Sequence, residues 1–585
     1  MMELDPRMHS QLHVIYGEDR LAAMLPLLRD PDEIMTPDAL SAMKSCALSI
    51  SRTLLDKMVQ ERWTISRREI ETDPVGNGFA VYDLQANGHE FTLIVLTSWD
   101  GEEKPGRRMD KTADFLASLT RQRADEALVK RELAAMAIPQ WGGRTDAASY
   151  GWTAANRSPR AFEHTVERLS EGLQPDLDEL ARNGGYVIRN AGFYGNGRAG
   201  AASWIGIDSD HPFATPYHMD LFLVYMWREI GLDFVEAIAR RRSHQAVELS
   251  PETRLYIGVG NSSGLGMTCA LVRWPQWVNI WCLTRELALA YAKTEPPSSV
   301  EVQLPLLREK LQRAVRYYRE VAGPEHGLTS HEELASDLEL LLESLEAWVR
   351  RPGAPCWLSL CEMTKSSLGP DALEQLNALL IDLYPAASHR LLALIPPAMR
   401  QQRKIDPHMT VQELRLLIER HYAWAIHLDR SAPERRWHFW YHSEEAGEQR
   451  RGERFVDSGV EFETFVDVIG AVQQLWQHLD GRADDELVAR FALQFPDDAY
   501  VISRIQFMAD KPYGEIRGNL VDREFLPLKV IRFLLTIFGF ESGTPRSSAW
   551  VRGVLLQGAP TPTEIARGEM RDWMMPVKPA AEAHG

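Results

Sequence analysis

Cysteine is scarce: five residues, at positions 46, 269, 282, 356 and 361, spread over 585. An odd number so thinly placed supplies no disulfide framework and reads as reduced thiols in a cytoplasm. Cys356 and Cys361 stand too far apart for a CxxC redox pair, and no four-ligand zinc pattern occurs. Positive charge is also short, since 65 Lys and Arg face 82 Asp and Glu and leave a net charge of −17. Phosphate backbones are bound mainly by Lys and Arg, so this balance argues against a nucleic-acid partner. The runs Arg240, Arg241, Arg242 and Arg450, Arg451 read as solvated helix ends or salt-bridge clusters. A long apolar run is missing too. The most apolar late stretch, 525–540, is broken by Pro527, Lys529 and Arg532, short of the roughly 20 apolar residues that a spanning helix needs. The opening MMELDPRMHSQLH has neither the basic region nor the apolar core of a signal peptide. These absences together predict a soluble, cytoplasmic chain with no membrane partner.

Hydrophobic residues at 45% and charged residues at 25% are ordinary for a globular protein, and the length predicts about three or four domains. The patterning predicts an α+β protein dominated by helices, with a small antiparallel β-meander near the N-terminus and a multi-helical remainder. Residues 1–140 hold N-terminal helices plus the meander. Apolar positions from Leu40 through Leu55 fall at helical spacing after Pro37-Asp38, then three β-rich runs occupy 63–98. The last two runs are joined by Asn87-Gly88, the dipeptide of a type I′ hairpin. Residues 141–300 form a region of glycine loops, strands and helices, in which the runs beginning MDLFLVYMW and WPQWVNIWC read as deeply buried helices. Residues 301–430 read as almost all helix, with capping boxes at Ser330/Glu333 and Thr410/Glu413. Residues 431–585 form a C-terminal α+β region.

Chemistry is concentrated in irregular polar segments. The stretch 254–268, RLYIGVGNSSGLGMT, fits three patterns at once: GxGxxxG at Gly258, Gly260 and Gly264; GxxxGxG at Gly260, Gly264 and Gly266; and GxSxG around Ser262. A dinucleotide site needs a second strand and an acidic residue about 20 residues on. Here Pro275 and a Trp-rich helix follow instead, and the short-chain dehydrogenase pattern lacks its Tyr-x-x-x-Lys. A nucleophile elbow would place Ser262 at a strand-to-helix turn with an oxyanion hole beside it, but the alternating αβ pattern around it is missing. The plain alternative is a tight glycine turn.

A second segment of similar texture, YVIRNAGFYGNGRAG, also runs from an apolar strand into glycines. If the two strands are neighbours, Arg189, Tyr194, Asn196, Arg198 and Asn261 converge on one carboxylate, phosphate or carbonyl group. Metal candidates are weaker: His211, His218 and Asp220 have suitable ligand types at no familiar spacing. In WHFWYHSEE, His438 and His442 share a face, and Glu444 joins them in a strand, so His442 and Glu444 are candidate acid–base groups. Cys361 and the stripe Trp274, Trp277, Trp281 read as core.

The expectation is an enzyme acting on a small polar or anionic metabolite by hydrolysis or elimination. No nucleotide cofactor is predicted; a divalent metal and a homo-oligomer are compatible with the sequence. Two alternatives stand beside it: a serine hydrolase using Ser262, and a non-enzymatic helical scaffold that binds a protein partner.

Overall fold

A computed structural model describes residues 6–35, 46–99, 113–137, 148–190, 207–208, 210–215, 217–261, 275–320, 329–392, 394, 405–429, 438–442, 449–453, 461–463, 468–509, 511–515, 536–542 and 553–570. Short helices α1 (Pro6–Tyr16) and α2 (Glu18–Met24) precede α3 (Ile50–Gln60). The meander follows as β1 (Thr64–Thr72), β2 (Gly78–Ala86) and β3 (His89–Thr97). Asn87 and Gly88 take φ of 47° and 78°, the left-handed pair a type I′ turn demands, and Ala86 pairs with His89 across it.

The sheet does not stop there. β4 (Phe115–Thr120), β5 (Ser149–Arg157) and β6 (Tyr186–Asn190) add antiparallel, β7 (Gly258–Asn261) joins β6 in parallel, and two late strands complete nine among the described residues. These last are β12 (Gly553–Leu555) against β7 and β11 (Phe540–Ser542) at the edge. Within the region of glycine loops, strands and helices expected at 141–300, residues 149–157 are strand. In SYGWTAANR only Tyr150, Trp152 and Ala154 alternate with polar or small residues, a signal broken by Gly151 and by the polar end, and hydrogen-bonded neighbours on both sides fix the strand. FLASLT, in β4, is too short for periodicity to separate strand from helix.

Both faces of the meander are covered. Ala80, Tyr82 and Leu84 enter the main core, while the alternate Val81 packs with Ile94, Val129 and Met136. The latter two belong to α4 (Glu126–Met136), capped by Asp125. On the main side lies α6 (His218–Arg242), preceded in the chain by α5 (Ala161–Ser170). Eighteen of the 25 residues of α6 are buried, and it touches β1, β6, β7, α3 and α5. The sheet therefore curls around a helix that is apolar on nearly every side.

Beyond α7 (Pro251–Tyr256) come α8 (Pro275–Lys293), α9 (Pro297–Glu320), α10 (His331–Val349), α11 (Trp357–Thr364), α12 (Pro370–Asp382) and α13 (Pro385–Leu392). Both predicted capping boxes form, at Ser330/Glu333 and Thr410/Glu413. Between α8 and α12 the core encloses charges: Arg29 bridges Glu286 at 2.6 Å and Glu374 at 2.5 Å, and Arg285 also binds Glu374. Despite burial, the two guanidiniums pull the Glu374 carboxyl down to about 2. A separate core unites α14 (Val411–Ile426), α15 (Val468–Leu479), α16 (Val488–Gln494) and α17 (Ala499–Met508). β8 (His438–His442), β9 (Gln449–Glu453) and β10 (Glu461–Glu463) form a three-stranded sheet in the order β10-β8-β9. Among the described residues no helix is long and apolar enough to cross a membrane.

Candidate functional site

The site is built on the parallel pair. Gly184 and Gly185, at φ of 98° and 74°, turn the chain into β6, where Val187 and Ile188 are fully buried. Arg189 pairs with Gly260 and Asn190 with Asn261, so β6 and β7 end level. Asn190 and Asn261 are therefore the adjacent carboxyl ends of two parallel strands, where open α/β sheets place ligands. The next long helices in the chain, α6 and α8, also begin beside each other. The rings of Tyr217 and Trp277 stand 5.4 Å apart, edge to face. Tyr217 caps α6 at φ 64°, a left-handed conformation uncommon for a bulky residue and held here by full burial.

The strand reading of RLYIGV is corrected. Ser250 accepts from Thr253 N, Pro251 occupies the first turn, and residues through Tyr256 are helix α7. β7 begins only at Gly258. Its entry is pinned by Arg228, fully buried on α6, whose Nε donates to Ile257 O at 2.7 Å and whose Nη2 donates to Arg254 O. Arg228 also pairs with Glu229 at 2.5 Å, and Arg254 with Glu236 at 2.7 Å. Burial pushes the Glu229 and Glu236 carboxyls above the usual range, opposed by these Arg partners. Arg228 and Arg254 escape sequence reasoning. The visible signal is WRE in an otherwise apolar helix, because a charge there has to be buried and paired.

Two glycines of the three-way motif have a packing role. A Cβ at Gly260 would lie 2.5–2.6 Å from the Tyr186 ring, and one at Gly258 would lie 2.7 Å from Leu555 O. Both sit inside β7, rather than in the turn that a dinucleotide pattern assigns to them.

His211 is placed beside the start of β5. Its Nδ1 accepts from Phe213 N at 3.1 Å, so its Nε2 carries the proton and donates to Tyr150 Oη at 2.7 Å. The His89 ring lies 5.0 Å away, and burial lowers the His211 imidazole to about 4. His218 instead faces Thr53 on α3, and Asp220 lies in the first turn of α6. The metal candidates His211, His218 and Asp220 thus do not assemble: among the described residues no group of three or more His, Cys, Asp or Glu is placed to hold a metal ion.

Arg189 is half-buried on β6, and Asn261 ends β7. His442 lies on β8, opposite Gln449 and Glu461. Tyr194, Asn196, Arg198, Ser262 and Glu444 lie outside the described residues. The structure thus brings together the strands that carry Arg189 and Asn261, and puts His442 on the other sheet. Compared with protein-family models, curated proteins and solved structures, the chain matches none. The functional reading rests on the geometry of the chain itself.

Proposed function

We propose that the carboxyl ends of β6 and β7 bind a small polar or anionic metabolite, which the protein transforms by hydrolysis or elimination without a nucleotide cofactor. The observation that supports this is the level, parallel pairing of Arg189 with Gly260 and Asn190 with Asn261. It starts both glycine segments from one point, as convergence of Arg189, Tyr194, Asn196, Arg198 and Asn261 on one ligand requires. Arg supplies charge for a carboxylate or phosphate, and His442 and Glu444 are the proposed proton-transfer groups. The described cysteines, Cys46, Cys282, Cys356 and Cys361, are all free, which favours a reducing compartment such as the cytoplasm.

A thermal-shift screen against small carboxylates, phosphates, amides and aromatic acids tests the reading, with and without divalent metals. A ligand at 100 times its Kd adds about 2.7 kcal/mol to stability. A hit abolished by Asn261→Ala is the expected result. The reading is overturned if Asn196→Ala and Asn261→Ala both leave affinity and turnover untouched.

A second reading, a serine hydrolase, draws on Ser262 being the first residue beyond β7. Covalent labelling by a fluorophosphonate, lost in Ser262→Ala, is its signature. The predominantly antiparallel sheet around β7 is unlike the setting of a nucleophile elbow.

A further inference from the structure

Residues 511–515 reach both of the cores described above. Tyr513 is fully buried among the residues of the main core. Its backbone N–H donates to Asn279 Oδ1 at 2.8 Å, and its hydroxyl donates to Arg29 O at 2.9 Å. Asn279 and Glu286 stand seven residues apart on α8 and so share a face. Arg29 is the residue that grips Glu286 and Glu374. Tyr513 is therefore anchored beside the buried charge network.

Glu515, two residues on, is held by the other core. Arg504 on α17 donates to it twice, from Nε at 2.6 Å and from Nη2 at 2.8 Å, and the Tyr422 hydroxyl of α14 donates to it at 3.2 Å. The Arg504 and Glu515 side chains are only 4% and 7% exposed, so displacing either one strands a buried charge. Tyr422 is also where α14 breaks: its φ of −127° and ψ of 15° are not helical, although helix continues on both sides. α14 has no Pro or Gly to account for the break; the hold on the Tyr422 hydroxyl comes from Glu515.

The chain between the two anchors has little slack. Two residues span at most about 7 Å, and Gly514 between them lies against Met508 at the end of α17. A Cβ there would come to 3.3 Å from Met508 Cε and 3.4 Å from its carbonyl oxygen, and the Lys511 amide donates to that same carbonyl at 3.0 Å. Helices α14 to α17 pack chiefly on one another, which makes this stretch a short path between the cores. We infer that residues 511–515 are a strap coupling the two cores: docking of Tyr513 beside Arg29 holds Glu515 in place, and Glu515 sets the break in α14. The bend of the helical unit thus depends on the charge network around Arg29, in the other core. The strap uses none of the residues proposed to bind ligand at β6 and β7, so either reading can fail alone.

The test perturbs one anchor in the full chain and reads the other. Tyr513→Phe keeps the buried ring and removes only the bond to Arg29 O, while Asn279→Ala removes the acceptor of the Tyr513 amide. In both variants, NMR of arginine-labelled protein is expected to show the Arg504 Nε proton exchanging with water about two- to tenfold faster, the equivalent of one hydrogen bond. Coupling is reciprocal, so Glu515→Gln, which weakens the far anchor, is expected to quicken exchange of the Tyr513 amide. Tyr422→Phe, which frees α14 from the strap, is expected to carry the Cα resonance of residue 422 towards its helical value. Gly260→Ala acts on the sheet and is expected to leave the Arg504 proton as it was. The inference is overturned by an Arg504 proton indifferent to Tyr513→Phe and Asn279→Ala, or equally quickened by Gly260→Ala. A Tyr513 amide indifferent to Glu515→Gln, or an unmoved resonance at residue 422, overturns it too.

Discussion

Gly260→Ala is the sharpest test of how β6 and β7 are held level. The backbone at Gly260 is not left-handed, so alanine meets no conformational penalty there and gains a little from its lower unfolded-state entropy. The whole cost comes from the Tyr186 ring, three of whose carbons would lie 2.5–2.6 Å from the new methyl. That ring is 1% exposed, so it can move only by displacing its neighbours. Overpacking of a filled core costs about 1–3 kcal/mol, which here falls on the β6–β7 pairing. Native-state hydrogen exchange is the suitable assay, because a chain with more than one core need not unfold in a single step. Amides of β6 and β7 should lose protection by roughly 5- to 150-fold, the exchange equivalent of that energy, while those of α14 and α15, in the other core, should not change. In a Tyr186→Leu background, where the ring is gone, the same substitution should cost almost nothing. Equal losses in both backgrounds would refute the steric argument and point instead to the backbone of β7.

Two further outcomes follow from buried charge and buried imidazole. Arg228→Met strips its partner from Glu229 and two hydrogen bonds from the chain entering β7; the expected loss is about 3–5 kcal/mol, read as a fall in Tm and in β7 amide protection. His211 and His218 are held neutral by burial, at about 4 and about 3. Below their unfolded value of 6.5 the unfolded chain takes up protons that the folded chain refuses, so Tm should fall as pH drops from 6.5 towards 4. His211→Gln should flatten that slope, and an unchanged profile would refute the burial argument.

Local signals carried much of this fold into the sequence. Asn87-Gly88, the boxes at Ser330 and Thr410, and the all-round apolar run of α6 each draw on neighbours within a few residues, and each takes its expected form. What stayed hidden depends on distant partners. β5 is held as a strand by β4 and β6 on either side, partners that its polar and glycine positions do not reveal. RLYIGV looked like a strand because its apolar residues are contiguous, yet the Ser250-Pro251 cap upstream sets a helix first. At the candidate site, the condition that the two strands be neighbours could be posed from sequence, but only pairing could meet it. The packing role of Gly258 and Gly260 was invisible, since Tyr186 and Leu555 lie far off in the chain.

β7 lies between a strand made before it and one made long after it, for its far edge is closed only by Gly553–Leu555. On the ribosome those two strands are separated by roughly 300 residues of synthesis, which at about 5–20 residues per second takes about 15–60 s. Throughout that interval β7 has an open edge, able to pair with any strand that reaches it. The four residues of β7, two of them glycine, make this edge short and poor in side chains, a weak template for a wrong partner. The strands at Phe540–Ser542 and Gly553–Leu555 are thus the last pieces of the sheet that carries the candidate site, and a nascent protein cannot complete that sheet before they emerge.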